Sequence, residues 1–179
     1  MELKGSKTEA NLQAAFAGES QARNKYDYFA KQAMFEKYDQ IKGIFTETAN
    51  NEMAHAKIWY KYLNGGKIAD TITNLGLAAE GEHHEWTEMY PSFAETAREE
   101  GFSDIAAHFT MVGEIEKTHE ERYNEIKKRL EDKSFFERGE VVTWHCRNCG
   151  HIHVGEHAPK ACPVCKDEQG MFELLAKNY

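Results

Sequence analysis

Two stretches decide the fold: Gly18-Glu19 followed by Glu52-Met53-Ala54-His55, and Gly81-Glu82 followed by Glu116-Lys117-Thr118-His119. Each leading glutamate follows a glycine and precedes its Glu-x-x-His, by 33 residues in the first set and 34 in the second. That is an internal repeat of a metal-ligand set carried on helices. Residues three apart share a helix face, so Glu52/His55, Glu82/Glu85 and Glu116/His119 each turn two ligands the same way. Glu19 brings the set to five carboxylates and two imidazoles. Gathered in a core without counter-charge, such carboxylates would be heavily penalised or forced to take up protons. Two divalent ions supply about four positive charges against about five negative ones, so the charges call for two metals. Oxygen-rich ligation with one imidazole per metal suits iron or manganese. A single Glu-x-x-His is commonly a chance pairing on a solvated face, but two with in-phase partners are not.

Working outward, the ligands fall in phase with apolar stripes. The first helix, about residues 8–38, carries Leu12, Phe16, Glu19, Arg23, Tyr26, Ala30 and Ala33 at helical spacing. The second, about 39–64, carries Ile41, Phe45, Thr48, Glu52, His55, Trp59 and Tyr62, and Gly65-Gly66 stops it. The third, about 70–100, runs through Ile72, Leu75, Ala79, Glu82, Glu85/Trp86, Met89 and Phe93, with Pro91 expected to kink it. Gly101 ends that helix, and Ser103 is placed to cap a fourth, about 103–130, with Ile105, Phe109, Val112, Glu116, His119, Tyr123, Ile126 and Leu130. Four such helices predict a four-helix bundle. His83 and His84 sit off the inward face and read as outer or solvent groups, and His108 as a packing or surface residue. Tyr26 follows Glu19 on its stripe and is placed for a hydrogen bond to a ligand carboxylate.

After a charged linker at 131–140 the texture changes. Val141–Trp144 and Phe172–Leu175 read as short strands flanking Cys146-Arg147-Asn148-Cys149 and Cys162-Pro163-Val164-Cys165, and Gly150, Gly155, Pro159, Pro163 and Gly170 mark turns. Two Cys-x-x-Cys knuckles twelve residues apart hold one tetrahedral ion. Zinc in a structural ribbon and redox iron share this spacing; company with a redox di-metal set favours iron. A tail this short cannot bury an adequate core unaided and needs its metal to fold. His145, His151, His153 and His157 are surplus to four thiolates and read as solvent-facing.

Composition sets the outer bounds. Thirty acidic against 22 basic residues give a net charge of −8 without a basic block, which argues against a nucleic-acid partner. No apolar run approaches a membrane span and the first residues lack a signal-type core, so a cytoplasmic protein is expected. Cysteines paired this tightly in that compartment are metal ligands rather than disulfides.

The chain resembles the rubrerythrin family along nearly its whole length: Ala17-Gly18-Glu19-Ser20-Gln21-Ala22-Arg23-Asn24, Glu52-x-x-His55-Ala56-Lys57, Gly81-Glu82-His83-His84-Glu85, Met89-Tyr90-Pro91-Ser92-Phe93, Cys146-Arg147-Asn148-Cys149-Gly150 and Cys162-Pro163-x-Cys165. The resemblance implies a ferritin-like diiron four-helix bundle over 1–138 and a rubredoxin-like iron domain over 139–179. It implies a peroxidase that reduces hydrogen peroxide to water in oxidative-stress defence, drawing on NADH through separate proteins such as rubredoxin or a rubredoxin reductase. Carried over by position, Glu52 and Glu116 bridge the two irons, Glu19 and Glu82 are terminal carboxylates, and His119 holds one iron. The other iron exchanges His55 for Glu85 on oxidation, and Tyr26 and Tyr90 stand beside the ligands. A dimer is implied, with the four-cysteine iron of one chain serving the diiron site of the other.

One departure from that pattern matters. Only 17 residues separate Gly65 from Glu82, counting Glu82 itself. A ferritin-like crossover of roughly 30 Å would use some nine or ten of them, leaving about two helical turns above the ligand. The expectation is a domain-swapped homodimer, each site taking Glu19, Glu52 and His55 from one chain and Glu82, Glu85, Glu116 and His119 from the other. Iron storage and a zinc-ribbon adaptor are the competing functions. Neither needs Glu85 together with a four-cysteine iron.

Overall fold

The computed structural model of the protein describes residues 2–178. It divides into two compact units, Met1–Ala69 and Asp70–Tyr179.

The first unit is a helical hairpin. Ser6 opens α1 (Lys7–Phe35) by accepting the Glu9 N–H at 3.1 Å, while the Glu9 carboxylate reaches back to the Gly5 N–H at 2.6 Å. The helix ends with Lys37 in the left-handed region (φ 67°), its N–H bonded to the Met34 carbonyl and that of Tyr38 to the Ala33 carbonyl. This double closure turns the chain at once into α2 (Asp39–Leu63). Buried alanines (Ala30, Ala33, Ala49 and Ala56) let the backbones approach. Ring pairs Phe16–Tyr60 and Phe29–Phe45, with centroids 5.7 and 5.5 Å apart, run in opposite order along the two helices, which makes the hairpin antiparallel. Gly65 and Gly66, both at positive φ, stop α2 as expected.

In the second unit Asp70 caps α3 (Thr71–His84) through the Thr73 N–H. The helical run does not stop at Pro91. It widens into a π-helical segment, Glu85–Met89, in which the Tyr90 N–H reaches back five residues to the Glu85 carbonyl, and continues as α4 (Tyr90–Glu99). Proline lacks an N–H and crowds the preceding turn, so a wider turn immediately before it relieves both conflicts. Gly101 (φ 86°) then reverses the chain into α5 (Ser103–Glu131), against which α3 and α4 pack. Ser103 is the first helical residue rather than the cap, which is Phe102 and supplies no side-chain bond. The helices meet through Ala79, Ala94, Ala97, Ala106 and Gly113. A Cβ on Gly113 would sit 3.3 Å from the Tyr90 Cβ, so the glycine leaves room for that ring.

The same unit ends in an antiparallel sheet of order β2-β1-β3, formed by β1 (Glu137–Cys146), β2 (Ile152–His157) and β3 (Phe172–Leu174). β1 begins inside the stretch read as linker, and β2 was not expected. Trp144, Cys146, Ala158, Cys162 and Phe172 form its buried core, with Trp144 donating to the Gly155 carbonyl at 3.0 Å and Arg138 lying over its ring. No helix of the described residues is long and apolar enough to cross a membrane.

Trp144, 1% exposed, is the largest fully buried side chain among the described residues. Trp144→Ala is expected to remove about 3–5 kcal/mol from this small core. Hydrogen exchange should show amide protection lost across β1–β3 and retained in α1 and α2.

Candidate metal centres

Each unit assembles one triad of ligands. In the first, Glu19 on α1 faces Glu52 and His55 on α2, and His55 Nδ1 stands 3.0 Å from Glu52 and 3.8 Å from Glu19. In the second, Glu82 on α3 faces Glu116 and His119 on α5, and His119 Nδ1 stands 2.6 Å from Glu116 and 3.7 Å from Glu82. One ligand atom from each residue lies within 4.8 Å of the others in both triads. The repeat seen in the sequence is thus a repeat in space, and its donor set suits a hard, imidazole-accepting ion such as iron.

The electrostatics show what crowding does to the acids. The Glu19 carboxyl is raised, first by a hydrogen bond with Glu52, then by burial and the Glu52 charge, with His55 pulling the other way. Burial first, then Glu116, raises Glu82. These acids compete for protons that a cation would displace. Glu85 lies outside the second triad, yet its charge acts on Glu82 and on Tyr90, whose phenol is held up by burial and then by Glu85, Glu116 and Glu82. Tyr90 packs against Phe109, centroids 6.1 Å apart. Tyr26 stacks near Phe45 and Phe29 and makes no hydrogen bond to a ligand.

Around the second triad lies a network the sequence did not disclose. Glu120, next to His119, accepts from the Trp86 indole at 2.5 Å and pairs with His83 Nδ1 at 3.1 Å. The Trp86 bond, ahead of the His83 contacts, lowers the Glu120 carboxyl. His83 is therefore an outer group, as expected. His84 pairs with Glu88 at 3.5 Å, and His108 Nδ1 meets the Asp104 carbonyl at 2.7 Å. Only the off-phase position of Glu120 beside a ligand hinted at its part.

The four cysteines converge from two knuckles. Gly150, at positive φ, returns its N–H to the Cys146 carbonyl, and Lys166 does the same to Cys162. Cys146 and Cys165 sulfurs are 3.8 Å apart, and those of Cys149 and Cys162 3.6 Å. A tetrahedron with metal–sulfur bonds of about 2.3 Å has edges of about 3.8 Å, so the sulfurs already stand where one ion would hold them. Sharing so small a space splits their proton affinities. Burial pushes Cys162 up, but N–H bonds from Cys165 and Val164 and bonds with the Cys165 and Cys149 side chains bring it to about 7. At Cys165 the Asp167 N–H pulls down, yet burial and the Cys149 and Cys162 sulfurs push it up to about 12.

Both regions of the chain match known protein families. The family model for rubrerythrin matches residues 10–127, and that for the rubrerythrin, rubredoxin-like domain matches 144–173. Rubrerythrin-1 of Clostridium acetobutylicum is 47% identical over 99% of this chain and 98% of its own. Rubrerythrin of Porphyromonas gingivalis is 48% identical over 99% and 94%, and that of Nitratidesulfovibrio vulgaris 47% over 99% and 98%. A solved structure, the partially reduced state of nigerythrin, covers 97% of this chain and 91% of its own at 32% identity and a TM-score of 0.36. With both family models matched in order and relatives near half identity along the full length, the chain belongs to the rubrerythrin family.

Proposed function

We propose that the protein is a cytoplasmic peroxidase that reduces hydrogen peroxide to water, its bundle (1–138) holding two irons and its tail (139–179) one. The observation that carries this reading is the pair of matching carboxylate–imidazole triads in one chain with a four-sulfur tetrahedron sized for one ion. Reduction of the O–O bond takes two electrons and two protons. When bound, two ferrous ions supply both electrons together, and a thiolate-held iron returns them singly from a rubredoxin or rubredoxin-reductase-type donor fed by NADH. Glu52 and Glu116 would be ligands shared by the two irons, Glu19 and Glu82 would each serve one, His119 would hold one iron, and His55 and Glu85 would be alternative ligands of the other. The Tyr90 phenol, held up by burial and then by the Glu85, Glu116 and Glu82 charges, stays protonated at neutral pH and keeps a proton at the site's edge. Tyr26 serves the site indirectly by packing α1 against α2.

We further propose that the triads combine between two chains. Glu52 lies eleven residues before the end of α2 at Leu63, and Glu82 eleven after the start of α3 at Thr71. In a ferritin-like bundle these helices run parallel, so the connection must climb about 33 Å to bring the glutamates level. Eight Cα steps from Leu63 to Thr71 reach at most about 26–29 Å. The span is too short, whereas a second copy can supply the missing half. Ile41 and Tyr62 on the ligand stripe of α2 and Ile105 on that of α5 are exposed, as faces awaiting such a partner would be.

Two experiments test these readings. Anaerobically reduced protein, freed of reductant and given substoichiometric hydrogen peroxide, should regain the visible colour of ferric thiolate iron quickly. The response should vanish in Glu52→Ala and His119→Ala. Slow recolouring that survives both changes would instead favour iron handling, and absence of colour in every state would indicate zinc. For the swap, inactive Glu52→Ala and Glu116→Ala chains are refolded together. Heterodimers then contain one intact site, and about a quarter of wild-type activity should return; none returns if each chain builds its own site.

A further inference from the structure

Among the described residues, the indole Nε1 of Trp59 is the buried side-chain nitrogen or oxygen that lacks a hydrogen-bond partner. The chain's other two tryptophans are satisfied, Trp86 by Glu120 at 2.5 Å and Trp144 by the Gly155 carbonyl at 3.0 Å. Leaving a buried N–H unpaired is costly, and a structure that keeps one generally has a use for it. Trp59 stands one turn beyond His55 and two beyond Glu52, on the ligand face of α2. That face is turned toward Glu19 on α1, whose carboxylate stands 3.8 Å from His55, and the Trp59 N–H closes no hydrogen bond there.

We propose that Trp59 is a positioning residue for Glu19: its indole N–H closes onto the carboxylate oxygen that Glu19 does not give to a metal. This rests on the di-metal reading above. A carboxylate that binds through one oxygen has the other free, and outer donors of this kind fix the ligand's rotamer. The device belongs to one half only. The position one turn beyond His119 holds Tyr123, so Glu82 has no matching indole. Trp59 therefore makes the two metal positions unequal, favouring the one next to Glu19.

The test uses full-length protein with ¹⁵N-labelled tryptophan and Zn²⁺ as a diamagnetic probe, added until the four cysteines are filled and then beyond. Three indole peaks are expected, and the one missing in Trp59→Phe identifies Trp59. During the second stage that peak should move downfield. Trp59→Phe should bind one of the two further ions about 10–100-fold more weakly and the other unchanged. Should Trp59→Phe fail to fold, the Trp59 peak in the unaltered protein, recognised as the one absent when labelled Trp59 alone is replaced by unlabelled 7-azatryptophan, decides alone. Uptake of two further ions with an unmoved Trp59 peak, or with equal affinities in the variant, overturns the proposal. No uptake beyond the cysteines overturns the di-metal reading, and this proposal with it.

Discussion

Carboxylates crowded onto facing helices repel each other, and that repulsion is the constraint the rest of the structure answers. Glu19 is held in favour of the proton first by its hydrogen bond with Glu52 and then by burial and the Glu52 charge, and Glu82 by burial and then the Glu116 charge. Such pairs persist because the helices beneath them are packed through alanine and glycine, which bring the backbones near enough to fix the side chains. An imidazole one turn beyond each second glutamate supplies partial relief. A divalent ion in each triad would turn the penalty into attraction, so the same residues that strain the metal-free units would stabilise the loaded ones.

The tail meets a similar demand with softer donors. Its sheet is too small to rest on apolar burial alone, and Trp144 and Phe172 pack directly beside Cys146 and Cys162. Knuckle backbone bonds set the sulfurs at the edges of a tetrahedron sized for one ion. The two kinds of centre therefore share a plan: the chain holds the donors in place, and the metal supplies the charge.

Much of this was legible in the sequence, for identifiable reasons. The four helical rods show because ligands and apolar residues share one 3.6-residue phase, and their ends show where Gly65-Gly66 and Gly101 permit positive φ. The ligand triads were readable because i and i+3 spacing survives folding unchanged. What escaped depended on context. Nothing in the helical period of Glu85–Met89 announces a π segment; Pro91 is its only trace, and it was read as a kink. β2 was hidden because its half-buried positions are His153 and Gly155 while Ile152 and Val154 are exposed, the reverse of an apolar-in strand. β1 was begun too late because Glu137, Arg138 and Glu140 put charge into the first residues of the strand. Trp59 read as one more member of a stripe, since no periodicity distinguishes a satisfied indole from an orphaned one. Glu120 and its bonds to Trp86 and His83 required the spatial meeting of α3 and α5.

The most direct test of the central claim, that two matched triads make one two-iron centre, is anomalous diffraction at the iron edge from crystals of the iron-loaded protein. The account predicts three iron peaks per chain: one among Cys146, Cys149, Cys162 and Cys165, and two about 3.5–4 Å apart, bounded on one side by Glu19, Glu52 and His55 and on the other by Glu82, Glu116 and His119. A single iron at each triad with no second within that distance, or triads left without iron while the cysteines are filled, would contradict it.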